Sequence, residues 1–226
     1  MAKLFGLSLA AAVVLVAAAA VYVAQAQTAA GPRPPRGGGI AKAVCAACHG
    51  AAGNSSDGKV SKLAAQHATY LRRQLEAFKT GSRGSDIMSG VVAGLSDADM
   101  ANAAEFYSRQ ALRPDAVENP RLAAVGERIF LAGGGAGMSP PCAMCHGARG
   151  QRRMPMMGMM GGRPMMGMMG MMADAPRLNG QHAAYIVDQL NRFASGERQA
   201  MMMGRIAATL TETDKAAVAE YLSSRP

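Results

Sequence analysis

The chain has 226 residues, enough for two small domains, but its aromatic content is only 4% and it has no tryptophan. So few aromatic side chains are unusual for hydrophobic cores of this size. This indicates that another apolar group completes the cores. The formal charge of +9 suits docking to acidic protein patches or anionic lipid. The basic residues form no concentrated stripe, which argues against a nucleic-acid-binding protein.

Residues 1–26 have the form of an export signal. Lys3 gives a short positive start, residues 4–23 are apolar, and Ala24-Gln25-Ala26 is an A-x-A cleavage site that predicts a mature start at Gln27. The apolar run is also long enough for an uncleaved membrane anchor, so association with the membrane stays open. Either way the body is expected outside the cytoplasmic membrane, in the periplasm. Residues 27–37 are predicted to be a flexible lead-in.

A C-x-x-C-H box follows at Cys45, Cys48 and His49. This pattern is the attachment signature of a c-type haem. Two thiols about one helical turn apart can each join one vinyl group of the same haem. The histidine comes next because its imidazole must stand under the iron as an axial ligand.

The rest of the first predicted domain, residues 38–111, has a helical pattern. A helix over residues 66–80 is predicted because apolar side chains recur on one face, at Leu71, Leu75 and Phe78. Ser96 and Asp99 form a capping box that starts the last helix. That helix is expected to turn three side chains inward, those of Ala103, Phe106 and Tyr107. Residues 112–120 are then a linker to the second domain, residues 121–226.

A second box lies at Cys142, Cys145 and His146, so the two boxes use all four cysteines and leave none for a disulfide. The alternative is a pair of zinc or redox C-x-x-C sites. Haem attachment is favoured over it, because a histidine directly follows both boxes.

The second half repeats the first. The segment Gln66-His67-Ala68-x-Tyr70 returns as Gln181-His182-Ala183-x-Tyr185, an offset of 115 residues. The boxes are offset by 142 − 45 = 97 residues, so the second half carries an insertion of 115 − 97 = 18 residues.

The repeat also predicts the sixth iron ligands. Met88 plus 115 gives Met203, and a thioether at both positions would give each iron His/Met coordination. Met201 and Met202 are adjacent alternatives in the second half. The plainer interpretation makes Met88 and Met203 ordinary core residues. His67 and His182 are also repeated, but their place at a helix start fits a polar surface or propionate-side role better than ligation.

In these features the chain resembles the dihaem cytochrome c4 family, which has two tandem class I cytochrome c domains. The resemblance covers nearly all of the mature chain. It depends on both boxes, on residues 62–67 (KLAAQH), on residues 88–99 and on residues 126–130 (GERIF). It implies an all-α fold, two covalently bound haem c groups and periplasmic electron transfer, often to a terminal haem-copper oxidase.

One departure concerns the loop after the box. The family usually has a proline there, two residues before a leucine, whose carbonyl holds the haem histidine. The second half has Pro176 before Leu178, but the first half has Ser61 before Leu63. Serine still offers its carbonyl, so we expect a looser loop with the site retained.

The other departure is the insertion. Residues 154–172 contain eleven of the nineteen methionines, broken by glycine and proline, and are predicted to be a mobile loop. Paired thioethers are soft ligands that suit Cu(I), which gives a copper-binding hypothesis. An adaptable apolar docking surface and a tolerated low-complexity expansion are the alternatives.

The sequence therefore predicts a periplasmic dihaem electron carrier that is not itself an enzyme. Its expected partners are a cytochrome bc1-type complex, a terminal oxidase or a dehydrogenase. Two alternatives stay open: the electron-accepting cytochrome subunit of a periplasmic dehydrogenase, and a copper-handling protein. A dihaem peroxidase needs an open iron, and two in-register methionines argue against it.

Overall fold

The computed structural model describes residues 38–134, 139–147 and 175–226, all within one compact unit. These ranges are helical and contain no strand, as the all-α prediction requires. None of their helices is long and apolar enough to cross a membrane. The predicted export signal lies outside the described residues.

The first half, residues 38–111, opens with a π-helical turn, Ala41–Cys45, that continues into the short helix α1, Ala46–His49. Three longer helices follow: α2 (Ala68–Lys79), α3 (Asp86–Ala93) and α4 (Asp97–Ser108). The predicted capping box is present at the start of α4, where the Ser96 side chain accepts from the Asp99 amide and the Asp99 carboxylate accepts from the Ser96 amide.

The second half, residues 121–226, adds a longer first helix, α5 (Pro120–Ala132), and then repeats the pattern. Its other helices are α6 (Ala143–His146), α7 (Ala183–Ser195), α8 (Met201–Ala208) and α9 (Glu212–Ser223). Both ends of α8 and of α9 lie 115 residues beyond those of α3 and α4. The offset found in the sequence is therefore also the offset of the folded elements.

The apolar faces predicted for α2 and α4 pack inward, with some differences of degree. Leu71, Phe78, Ala103 and Tyr107 are buried, whereas Leu75 and Phe106 are only partly buried. The Tyr107 hydroxyl donates to the Ala41 carbonyl at 3.0 Å, which ties α4 to the turn that carries the first box. In the second half one continuous core joins α5, α7, α8 and α9.

Gly126 lets α5 and α9 cross at close range. A Cβ placed on Gly126 would lie 1.9 Å from the Ala217 carbonyl oxygen and 2.9 Å from the Tyr221 Cβ. Both neighbours belong to a packed helix, so neither atom can move aside without shifting α9. The contact matters for the site because α5 leads towards the second box.

We expect Gly126→Ala to lower the free energy of unfolding by about 1–3 kcal/mol, because an extra methyl group overpacks this crossing. Guanidinium unfolding of the haem-loaded protein, followed by circular dichroism, measures the change. Gly90→Ala is the matched control, since Gly90 lies in α3 with no atom within 4 Å of the added Cβ. That variant should gain roughly 0.5–1 kcal/mol from helix propensity. Equal losses in both variants would contradict the close-packing argument.

Candidate haem-binding sites

The two boxes open into one continuous cavity of about 1610 Å³, lined by residues of both halves. Its walls include the box residues Cys45, Cys48, His49, Cys142, Cys145 and His146, and the methionines Met88 and Met203. A single organic ligand usually occupies about 300–1,000 Å³, so this volume suits two large groups. The structure thus brings all eight residues predicted from the sequence to one cavity.

Each box histidine is held by a loop carbonyl. His49 Nδ1–H donates to the Ser61 carbonyl at 2.8 Å, and His146 Nδ1–H donates to the Pro176 carbonyl at 2.9 Å. Burial lowers the pKa of both imidazoles, against the opposing effect of these hydrogen bonds. A neutral ring that donates through Nδ1 keeps its Nε2 lone pair for a metal, which is the state that ligation requires.

The two loops hold their histidines through hydrogen bonds of nearly equal length, which differ by only 0.1 Å. The contact to His49 is therefore present without a proline, and the looser loop expected at Ser61 stays a prediction. A backbone carbonyl makes the bond in each case, and other contacts of the first-half loop fix its position. Leu63 and Ala64 both donate backbone N–H groups to the Gly53 carbonyl, at 2.7 and 3.0 Å.

The box cysteines differ in exposure. Cys45 and Cys142 are partly buried, and burial raises the pKa of both thiols. Cys48 is exposed and Cys145 is partly buried. Each pair lies within one turn of a short helix that ends at the histidine, which is the local geometry predicted for haem attachment.

Met88 and Met203 occupy matching places in α3 and α8. Both are partly buried and pack against the core of their own half. Met201 is 78% exposed and Met202 is 46% exposed. All three methionines line the cavity, and Met203 is the least exposed of them.

Two arginines that the sequence did not identify as site residues also line the cavity. Arg83 donates to Gln74 Oε1 in its own half at 2.6 Å and to Gln189 Oε1 in the other half at 2.9 Å. Arg198 makes the reciprocal pair of bonds, to Gln189 at 2.6 Å and to Gln74 at 2.9 Å. Each guanidinium also reaches a tyrosine hydroxyl across the interface, Arg83 that of Tyr185 and Arg198 that of Tyr70.

The surroundings of these two arginines suit a bound haem. Within the described residues neither guanidinium pairs with a carboxylate, although both line a largely apolar cavity. A haem brings an apolar macrocycle and two propionate carboxylates, which suit such walls and such cations. The residues present therefore fit the group that the boxes predict.

A partly buried cluster around Asp115 ties the linker to both halves. Lys62 in the first half donates to Asp115 Oδ1 at 2.6 Å and to the Arg113 carbonyl at 2.7 Å. His182 in the second half contacts the other Asp115 oxygen at 2.8 Å through Nδ1. Its Nε2 lies 3.0 Å from the Ser55 carbonyl oxygen.

His182 therefore does not have the surface role expected from the sequence. It is buried at the contact between the halves, because its place before α7 turns the ring towards the linker and the loop of Ser55. His67, its counterpart, is partly buried, and burial together with the nearby Arg177 lowers the pKa of its imidazole.

The chain is similar to known proteins in both sequence and structure. The family model for cytochrome c matches residues 35–113. Cytochrome c4 of Pseudomonas aeruginosa is 36% identical over 184 residues, covering 80% of this chain and 83% of the relative. The crystal structure of reduced recombinant cytochrome c4 from Pseudomonas stutzeri matches with a TM-score of 0.66 at 33% identity, covering 81% of this chain and 94% of that one. The chain belongs to the cytochrome c4 family.

Membership establishes electron transfer as the function of this cytochrome c4 family member, with covalently bound haem c as its cofactor. A second kind of relative points in the same direction. The thiosulfate dehydrogenase electron acceptor of Stutzerimonas stutzeri is 35% identical over 217 residues, covering 92% of this chain and 91% of the relative. The name of this relative describes it as an electron acceptor.

We expect Asp115→Asn to lower the free energy of unfolding by about 1–3 kcal/mol at neutral pH, since it leaves Lys62 buried without its anion. The expected loss is smaller than for a fully buried ion pair, because the Asp115 side chain is 35% exposed and water screens the charge. Asp97→Asn is the control, because that carboxylate is 95% exposed and its lysine partner lies 4.0 Å away. A similar loss in both variants would contradict the role of the buried pair.

The same carboxylate should contribute to acid unfolding. Burial raises the pKa of Asp115, but hydrogen bonds from Lys62 and His182 outweigh it and hold the pKa below its ordinary value. The stabilisation is therefore complete above the unfolded-state pKa of about 3.9 and is lost as the pH falls through the folded-state pKa. Unfolding free energies measured from pH 7 to pH 2 should fall less steeply in Asp115→Asn than in the unmodified protein. An unchanged slope would contradict the pKa assignment.

Proposed function

We propose that the chain is a periplasmic dihaem electron carrier in which each half holds one low-spin haem. Cys45 and Cys48 would bind the first haem covalently, with His49 and Met88 as its axial ligands. The second haem would take the corresponding residues of the other half, Cys142, Cys145, His146 and Met203. In this proposal residues 38–111 and 121–226 are the two cytochrome domains, joined by residues 112–120.

The proposal rests on the hydrogen bond that each box histidine makes. The Nδ1–H of the ring donates to a carbonyl, which fixes the ring plane and leaves the Nε2 lone pair available to bind a metal. A partly buried methionine lines the same cavity in each half. This donor set suits an iron closed on both faces, as an electron carrier needs, and not an iron left open for substrate.

When bound, the haem iron supplies the one-electron couple between Fe(II) and Fe(III). The chain's own residues fix the axial donors, exclude water and set the local charge. Arg83 and Arg198 would place positive charge beside the propionates. Exposed apolar side chains flank the ligand methionines at matching positions, Ile87 at 75% exposure and Met202 at 46%. Such side chains suit the brief docking of a redox partner.

The partner is proposed to be a terminal oxidase or a cytochrome bc1-type complex. A second candidate has a specific observation behind it, because a relative that aligns with 92% of the chain is named as the electron acceptor of thiosulfate dehydrogenase. In that case the chain would accept electrons from a dehydrogenase and pass them on.

Stopped-flow mixing with each partner separates these candidates. The oxidised protein should be reduced rapidly by thiosulfate with a thiosulfate dehydrogenase if the second candidate is right, and the reduced protein should be oxidised rapidly by a haem-copper oxidase if the first is right. Horse heart cytochrome c is the control carrier under the same conditions. Rates below that control with both partners would contradict both assignments.

Replacing a ligand methionine should open one iron. We expect Met88→Ala to let carbon monoxide change the reduced absorption spectrum of one haem, and to lower that haem's midpoint potential, because a thioether ligand raises it. Met203→Ala should do the same for the other haem. The unmodified protein should not respond to carbon monoxide.

The exposed neighbour supplies the control. Met202→Ala should leave the spectrum insensitive to carbon monoxide if Met203 is the ligand. A carbon monoxide response in Met202→Ala, with none in Met203→Ala, would reassign the second ligand. No response in either Met88→Ala or Met203→Ala would contradict His/Met coordination.

Residues 154–172, which would bind copper, lie outside the described residues, and the relatives give this hypothesis no support. It stays a prediction. Anaerobic calorimetry with Cu(I), comparing the full chain with a variant that lacks these residues, tests it. Equal heats from the two proteins would end the hypothesis.

A further inference from the structure

The peptide group that holds each box histidine is also bonded to the opposite half. The Ser61 carbonyl, which accepts from His49, and the Lys62 N–H belong to one peptide group. That N–H donates to Gln181 Oε1 in the second half at 2.9 Å. A continuous chain of hydrogen bonds therefore runs from the His49 ring through this peptide to Gln181.

The second half repeats the arrangement in reverse. The Pro176 carbonyl accepts from His146, and the N–H of the same peptide group, that of Arg177, donates to Gln66 Oε1 in the first half at 3.0 Å. Two glutamines related by the 115-residue offset thus make the same contact, each in the opposite half.

Other contacts fix both glutamine side chains. Gln181 Nε2 donates to the Lys62 carbonyl at 3.0 Å, and Gln66 Nε2 donates to the Arg177 carbonyl at 2.8 Å. Each Oε1 also accepts the N–H of the following residue, at 3.0 Å in the first half and 3.1 Å in the second. The glutamines are only 7% and 8% exposed, so water competes little for these bonds.

Such a chain of bonds affects the ligand at its end. A peptide group that donates through its N–H is polarised, and its carbonyl becomes a stronger acceptor. A stronger acceptor at Nδ1–H makes the imidazole a more basic ligand. A more basic axial ligand favours Fe(III) over Fe(II) and so lowers the midpoint potential.

We propose that Gln181 lowers the potential of the first-half haem and that Gln66 lowers the potential of the second-half haem. Each glutamine is a positioning residue that acts on the opposite half through a peptide group. The proposal rests on axial ligation by His49 and His146, which is part of the proposed function.

The test replaces each glutamine by methionine in the full haem-loaded protein. Gln181→Met keeps the length of the side chain but offers no oxygen to the Lys62 N–H. The first-half haem's midpoint potential should rise while the second-half potential stays close to its original value. Gln66→Met should give the opposite pattern. A loosened interface alone would not raise the first-half potential in one variant and the second-half potential in the other.

Redox titration followed by proton NMR measures both potentials in one sample. The haem methyl resonances are assigned to each half through nuclear Overhauser effects to the residues of its box. The hyperfine-shifted ring protons of His49 should move in Gln181→Met, and those of His146 in Gln66→Met. These shifts report on the axial ligand itself and do not depend on electron-transfer activity.

Gln189→Met is the matched control, because Gln189 also bonds across the interface, to Arg83, but touches neither histidine-holding peptide. Gln189 accepts from Arg198 of its own half as well, so any change in the placement of the arginine charges should shift both potentials together. Gln189→Met should not reproduce the half-specific pattern. If Gln181→Met does not fold, Gln66→Met tests the same relation from the other half, and the rise should then be confined to the second-half potential.

The failures can be told apart. A high-spin spectrum in the unmodified protein would contradict the proposed ligation. Low-spin haems whose two potentials stay unchanged, or shift equally, in both glutamine variants would overturn only the role of the glutamines.

Discussion

The hydrogen bond from each box histidine to a loop carbonyl is the constraint on which both sites depend. An imidazole attached to a four-residue helix could otherwise turn about its side-chain bonds. The carbonyls of Ser61 and Pro176 fix its plane and its tautomer. The loop must in turn be held, and here the opposite half holds it through the next N–H of the chain. The position of each box histidine is thus a property of the whole molecule.

The linker adds a contact that the repeat does not predict. Asp115 lies between Lys62 of the first half and His182 of the second, and it has no equivalent in either half because it belongs to the connection itself. Ion pairs of this kind add little net stability when they replace apolar packing, but losing one partner is costly. The cluster therefore favours one docking of the two halves over others.

The sequence predicted the chemistry better than the contacts. The boxes, the 115-residue offset and the methionines could be found because each depends on local spacing or on comparing the chain with itself. The sequence pattern did not predict helices α3 and α8, because each spans only eight residues and contains a glycine. The roles of Gln66 and Gln181 could not be predicted, since their partners lie more than a hundred residues away in the chain. Their repetition was visible, but repetition alone does not say what a residue touches.

The reciprocal contacts have the symmetry of a dimer. Gln66 meets the peptide at Arg177 while Gln181 meets the peptide at Lys62, and Arg83 and Arg198 exchange partners in the same way. An interface in which equivalent patches contact each other is the isologous kind that two identical subunits make about a two-fold axis. The chain is in this sense a covalently joined homodimer of one cytochrome fold. Its linker then acts mainly by raising the effective concentration of one half around the other, so the contacts themselves can stay polar.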